Sequence, residues 1–390
     1  SVHPFIYIDD SNISAVAKGT LADYLGVPTP PGATGSATLN ALPFRAYQKI
    51  YNEYYRDQNL QDKITINESD DGQVSNPLSL LGIRTRNWEK DYLTSALPFA
   101  QKGSPVVAPI GFDYDPNPIG TDGVGNNLAP DTTLTIGSDG AAITSEELRK
   151  AVRLQELLEK NARAGSRYVE SIQAHFNERV PDYTAQRPIY LGGGRAPVNI
   201  SEVLSTYSGE AANTHDLPQG NMSGHGVAIG NSNRFKAKFS EHGFIIGIMS
   251  VMPRTAYQQG LPRVYQRRDK FDYYWPEFAQ LGEQVVFDSE AFFNYTESNN
   301  GQTTFGYQSR YAEMKYRNSE VSGDFKDSLS YWHMGRIFSE RPDLNSDFVT
   351  ANPREDIFAV VDPDVHSLYV QIFNNVKAIR KMPYHNVPTL

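Results

Sequence analysis

The stretch 234–254, RFKAKFSEHGFIIGIMSVMPR, decides the fold class. Its first part alternates: Phe235, Ala237 and Phe239 fall on one side, Lys236 and Lys238 on the other, as in a strand with one wet face. Ser240-Glu241-His242-Gly243 reads as a hairpin turn, with Gly243 supplying a positive φ. Phe244 to Met252 is then almost unbroken apolar sequence, as in a strand covered on both faces. Two settings place a dry strand beside a half-wet one: a catalytic site, and a sheet packed deep inside an assembly.

Working outward, the chain reads as strands from Asn233 to about Val286, and again over Tyr307–Tyr316 and Ala359–Val376. Helices are few and sit in the connections. LPFRAYQKIYNEYYRDQNL (42–60) spaces Phe44, Tyr47, Ile50, Tyr51 and Tyr54 by three and four, with Pro43 in the first turn. TSEELRKAVRLQELLEKNARAG (144–165) opens with the capping-box pair Thr144 and Glu147, carries Leu148, Val152, Leu154, Leu157 and Leu158, and stops at Gly165. A further turn or two covers Tyr168 to Phe176. Residues 27–41 and 103–140 are loops, the second with a short strand over Thr132–Ile136, and 188–232 returns to loops and short extended pieces. Scattered strands with long gaps suit a β-sandwich with large insertions.

With 390 residues, 39 % hydrophobic and 12 % aromatic, the chain can bury a large core rich in Tyr and Phe. A net charge of −9 argues against broad electrostatic binding to nucleic acid or anionic membranes and favours a basic partner. Disulfides and thiolate metal sites are excluded, because the chain has no cysteine. The longest apolar run is about half of what a membrane helix needs, and no signal peptide is visible. Phe5-Ile6-Tyr7-Ile8 reads like mid-domain sequence, so a processed or incomplete N-terminus is expected.

Catalytic templates fail. There is no G-x-S-x-G elbow, Walker loop, H-E-x-x-H or dinucleotide fingerprint. Asp113-x-Asp115-x-Asn117 begins like a calcium loop but has Pro118 and Val124 where Gly and Glu are required, so it reads as a solvated turn. His215 and His225 lie in a Gly-rich polar loop and read as surface residues. One patch mixes cations with aromatics. In RVYQRRDKFDYYWPEF, Arg263, Arg267 and Arg268 are interleaved with Tyr265, Tyr273, Tyr274 and Trp275. Single-strand stacking platforms and protein interfaces both use such residues; Asp269, Asp272 and Glu277 dilute the charge and favour an interface. Lys377, Arg380 and Lys381 in the tail have few acids nearby and are candidates for phosphate contact, against the plain reading of a solvated terminus.

Five long strings carry a resemblance: LPFRAYQKIYNEYYRDQNLQ, NWEKDYLTSALPFAQKG, TSEELRKAVRLQELLEKNARAGSRYVESIQAHF, EHGFIIGIMSVMPRTAYQQGLPRVYQRRDKFDYYWPEFAQLGEQ and FGYQSRYAEMKYRNSEVSGDF. In order and content they resemble the major capsid proteins of microviruses, closest to the gokushovirus branch, from about Leu21 to the C-terminus. The resemblance implies a mainly β fold, a viral jelly roll: an eight-stranded antiparallel β-sandwich with long, partly helical insertions. It implies one domain over 1–390, with a loop at 27–41, a variable surface loop at 103–143 and a helical and loop excursion at 144–232. It also implies that the family's N-terminal segment is largely missing, and that 103–143 is short for a threefold protrusion. On this reading 234–254 is a sandwich hairpin whose second strand lies between the core and an insertion or a neighbouring subunit.

The function implied is a capsid subunit of a T=1 icosahedral shell around circular single-stranded DNA, assembled in the bacterial cytoplasm and residing in the virion. Surface loops would contribute to host attachment. The partners implied are further copies of the chain, a small basic internal DNA-binding protein, an internal scaffolding protein, a pilot protein, the packaged DNA and a host surface receptor, a glycan being one candidate. No cofactor, metal or catalytic residue is expected. Two other readings stand beside it: a glycoside hydrolase on a β-sandwich, using two carboxylates, and a carbohydrate-binding module.

Overall fold

The structure is a computed structural model and describes residues 3–30, 32, 34–69, 71–104, 106, 145–204, 222–230, 233–296, 302–358 and 368–380. Its strands are β1 (Phe5–Ile8), β2 (Ala37–Asn40), β3 (Asn199–Leu204), β4 (Met222–Val227), β5 (Ala256–Tyr257), β6 (Glu283–Phe287), β7 (Thr304–Ser309) and β8 (Ser319–Glu320). Its α-helices are α1 (Leu21–Tyr24), α2 (Leu42–Ile50), α3 (Pro77–Leu81), α4 (Ser145–Ala164), α5 (Tyr168–Phe176) and α6 (Ser346–Val349). Among the described residues the strands pair as β1–β2, β3–β4, β5–β8 and β6–β7, each a two-stranded ladder. The chain divides into two compact units, Ser1–Arg195 with Asn231–Pro353, and Ala196–Gly230 with Arg354–Leu390.

The larger unit holds two cores. In the first, β1 buries Ile6 and Ile8 and turns Tyr7 outward, the alternation of a one-sided strand. It pairs antiparallel with β2, Phe5 opposite Asn40, and Phe5 also exchanges backbone hydrogen bonds with Gly72 and Val74, at 2.9 Å each. Ile13, Val16, Leu21, Phe44, Leu80 and Leu81 close over these isoleucines. The helix expected over 42–60 runs as α2 and then one π-helical turn, Tyr51–Tyr55. Its aromatic stripe is buried only at the start: Phe44 is buried and Tyr47 packs partly buried on the core, while Tyr54 is exposed, and Gln48 and Asn52 are buried alongside. Gln48 is satisfied on every side: its Nε2 donates to the carbonyls of Leu80 and Gly82 at 2.8 Å, and its Oε1 accepts from Arg84 Nε at 2.9 Å. Asn52 likewise exchanges two hydrogen bonds with the backbone of Ile64, at 2.9 and 3.0 Å. A buried polar group costs stability unless it is paired, so these amides fix where α2 sits.

The second core gathers Leu93, Ala96, Tyr257, Val286, Phe305, Phe348 and Val349 around the β6–β7 hairpin. Residues 96–97 lie along the outer edge of β7, where Leu97 and Tyr307 exchange backbone hydrogen bonds at 2.9 and 2.8 Å. Gly306 permits that approach, since a Cβ there would come within 3.1 Å of both Ala96 Cβ and Leu97 O. The Arg336 guanidinium sits 4.1 Å from the Phe348 ring centroid and 5.1 Å from that of Phe338, and its Nη2 donates to the Phe348 carbonyl at 2.7 Å. A planar, weakly hydrated cation suits an aromatic surround of this kind.

α4 follows the expected span and ends at Gly165, whose φ of +102° is left-handed and whose absent Cβ leaves room for the Glu170 carboxylate. Thr144, the loop over 107–143 with its Thr132–Ile136 strand and Asp113-x-Asp115-x-Asn117 lie outside the described residues, as does His215.

The opening stretch differs from its reading. Residues 234–254 are extended but carry no ladder, with a bend at Ser240-Glu241, and Gly243 has no positive φ. Phe244, Ile245 and Met249 are each more than half exposed. Alternation and apolar runs set backbone conformation locally, but a ladder needs a partner strand from elsewhere, and none pairs with this stretch among the described residues. Residues 368–376, expected as strand, are likewise extended, unpaired and exposed, while 359–367 lie outside the described residues. Of Tyr307–Tyr316, only the part to Ser309 is strand; a turn and a short 3-10 helix, Ala312–Met314, follow.

Asp57 ties the end of the π-turn to the loop at 89–95. Its carboxylate accepts from Lys90 Nζ at 2.5 Å and from the amides of Asn59 and Leu60 at 2.9 and 3.1 Å. Burial alone would lift the Asp57 carboxyl, but Lys90 and the two amides outweigh it and hold it below its ordinary range. Its contribution to stability is therefore present above the ordinary carboxylate pKa and is lost as pH falls through the lowered folded value. Asp57→Asn is expected to cost about 1–2 kcal/mol at neutral pH. Denaturant titrations at several pH values should show the gap between variant and parent closing only below about pH 4.

Candidate subunit interface

The cation and aromatic segment lies over β6 and the turn after β7. Asp269 and Asp272 build its bend: Asp269 Oδ1 accepts from the Lys270 amide at 2.6 Å, and Asp272 Oδ2 accepts from the amides of Arg268 and Asp269 at 2.9 and 3.0 Å. The Asp269 and Arg268 amides hold the Asp272 carboxyl below its usual range. These acids are therefore committed to backbone.

Beneath the bend lies a polar hub. Buried Gln284 donates from Nε2 to Glu313 Oε2 at 2.6 Å and accepts the Tyr311 amide at 3.1 Å. Tyr311 is buried in the left-handed conformation, φ +61°. Its hydroxyl accepts from the Trp275 amide at 3.1 Å and donates to the Tyr273 carbonyl at 3.3 Å. The Trp275 indole N–H donates to the Lys270 carbonyl at 2.9 Å.

The hub divides the expected interface residues into two groups. Arg263 and Arg267 point inward. Arg263 Nη1 donates to the Val285 carbonyl at 2.6 Å and to Glu290 at 3.0 Å; burial pushes the Glu290 carboxyl up, against the pull of this guanidinium. Arg267 donates to Glu313 at 3.3 Å and lies over the Tyr273 ring. Both are structural pins. Tyr265, Arg268, Tyr273, Tyr274 and Trp275 are exposed, Tyr265 at 76 %. Tyr274 packs edge-on against Tyr311, 5.0 Å between centroids, which holds it as a rigid anchor. Sequence reasoning missed Gln284, Tyr311 and Glu313; the Asp269-x-x-Asp272 spacing was a legible capping signal for the bend.

In the other unit, Lys377 and Arg380 lie on an exposed, extended segment, and Lys381 is outside the described residues. No group of three or more His, Asp or Glu side chains among the described residues is arranged to hold a metal, and no described helix is long and apolar enough to cross a membrane.

Comparison with known proteins gives a consistent answer. The family model described as capsid protein (F protein) matches residues 5–390. Capsid protein VP1 of Bdellovibrio phage phiMH2K is 35 % identical, over 96 % of this chain and 78 % of its own length. Capsid protein VP1 of Chlamydia phage 1 is 32 % identical over the same shares, and that of Spiroplasma virus 4 is 29 % identical over 95 % and 76 %. The likeness of the long strings to gokushovirus-type microvirus capsid proteins is thus upheld. A capsid protein is a structural protein of the virion and assembles with copies of itself. With a family match over nearly its whole length, the chain belongs to the capsid protein (F protein) family of phages.

Proposed function

We propose that the chain is the repeating subunit of a T=1 icosahedral shell around circular single-stranded DNA, built on one jelly-roll domain over 1–390, and that it has no catalytic role. Family membership over residues 5–390 is the observation that carries this. The alternation over 235–239 and the apolar run over 244–252 suit two adjacent sandwich strands, which favours the jelly roll. Tyr265, Arg268, Tyr273, Tyr274 and Trp275 form a subunit contact, with Arg263 and Arg267 bracing it from below. Exposed aromatics held rigid by a buried hub are what a protein interface requires at its centre. The tail with Lys377, Arg380 and Lys381 faces the genome. A scaffolding protein, a pilot protein and a host surface receptor, a glycan among the candidates, complete the partners.

Electron microscopy of the chain expressed with its scaffolding partners tests this: uniform spherical shells are expected, and only monomers or small oligomers would contradict it. Tyr274→Ala with Trp275→Ala should leave the free chain folded and abolish shells, because truncating an interface anchor costs about 2 kcal/mol or more and the contact recurs in every subunit. Arg267→Ala should instead lower the melting temperature of the free chain, since it leaves the Glu313 carboxylate beneath the bend with the Gln284 amide but without its cation.

Subunits at −9 each repel a polyanion, so a small basic internal protein is expected beside the DNA. Shells of this chain alone should retain little DNA, read as the ratio of absorbance at 260 and 280 nm. A tightly packed genome in shells without any basic partner would contradict that sign of charge balance.

A further inference from the structure

One part of this acidic chain is basic. Between Leu217 and Arg268 there are seven Lys and Arg residues against a single acid, Glu241, while the whole chain carries −9. Two cations of that block, Arg263 and Arg267, are drawn inward by Glu290 and Glu313. Arg234, Lys236 and Lys238 are not. All three are exposed, and none has an ion pair or a side-chain hydrogen bond among the described residues. Strand alternation sets them on one side of the chain, with Phe235, Ala237 and Phe239 on the other. The one acid comes after the row, at the bend. In a strand two residues advance about 6.8 Å, so the row sets three cations over roughly 14 Å.

We propose that Arg234, Lys236 and Lys238 contact successive phosphates of a single-stranded nucleic acid; this rests on the reading of the chain as a shell subunit around single-stranded DNA. A regular row suits a regular polyanion: a nucleic acid strand repeats one charge per nucleotide, whereas the acids on a folded protein follow no such period. A flexible single strand follows a straight row, while the backbone of a stiff duplex curves away from it. The row is distinct in sequence from the tail cations Lys377 and Arg380. Three contacts per subunit position a strand but do not cancel a charge of −9, so the need for a basic internal partner stands. The two halves of 234–254 then divide the work: the apolar run serves packing and the charged side of 234–238 serves the nucleic acid.

The test uses the free full-length chain and a fluorescein-labelled short oligothymidylate, with binding read by fluorescence anisotropy at several salt concentrations. Three phosphate contacts on a single strand are worth about 2 in the slope of log affinity against log salt. Arg234→Gln with Lys236→Gln and Lys238→Gln should therefore lower that slope by about 2 and weaken binding at low salt. A control removes three other exposed cations of the same unit, Lys315→Gln with Arg317→Gln and Lys326→Gln, and should leave the slope near that of the parent. No binding by the parent at low salt, an unchanged slope in the first variant, an equal fall in both variants, or tighter binding of a duplex of the same length would overturn the proposal. Equal, row-dependent binding of labelled polyglutamate would also overturn it, and would make the row a site for an acidic protein. A second measurement needs no substitution: the parent chain is crosslinked by ultraviolet light to oligothymidylate carrying 4-thiothymidine, and the attached peptides are identified by mass spectrometry. Attachment within 233–241 is expected, and attachment only elsewhere would overturn the site. Neither readout needs shells. Loss of the row's binding with shells intact falls on this inference, whereas row-dependent binding by a chain that never forms shells falls on the shell reading.

Discussion

The side-chain amide of Gln284 holds the outward surface of this protein in place. It lies in β6 with both ends used, one on Glu313 and one on the Tyr311 amide. Glu313 in turn holds Arg267, and Tyr311 holds the backbone at Tyr273 and Trp275. A buried network of this kind is stable only when every member is satisfied. The aromatic segment is therefore not a free loop. It is a bent strip fixed at several points to a two-stranded core, with its rings facing out. Preorganisation of that sort reduces the entropy that would be lost if this strip forms the proposed subunit contact.

The molecule's surface makes sense as that of a part. Phe244, Ile245 and Met249 are exposed on extended backbone with no ladder, and the leucines of α4 are half-covered. In a protein that works as a monomer such features are liabilities for aggregation. A subunit that assembles with copies of itself has a use for such surfaces. The acidic net charge fits the same picture, because it keeps free subunits soluble and apart until specific contacts outweigh repulsion.

Helices were legible in the sequence because their signals are local. The period of Leu148 to Leu158 and the stop at Gly165 locate α4 to within a residue, and Pro43 marks the first turn of α2. Which face is buried was less legible: Gln48 and Asn52 are inside because carbonyls of Leu80, Gly82 and Ile64 happen to meet them, and those lie 12 to 34 residues away. Strand pairing was least legible. The 234–254 pattern specifies extended backbone but not its neighbour, and no strand among the described residues pairs with it. At the site, Arg263, Arg267 and Arg268 look alike in sequence. Glu290 and Glu313, 27 and 46 residues on, draw the first two inward and leave Arg268 outside. Identity, by contrast, was legible from the long strings, since it depends on order and content rather than on contacts.

The central claim is that assembly covers the extended apolar strip and the aromatic surface of the free chain. Amide hydrogen exchange, compared between the free chain and assembled particles, measures this directly. The account predicts fast exchange in peptides covering 243–254 and 264–275 of the free chain and strong protection of both in particles, with little change in β6 and β7. Equal exchange in the two states across those peptides would contradict it.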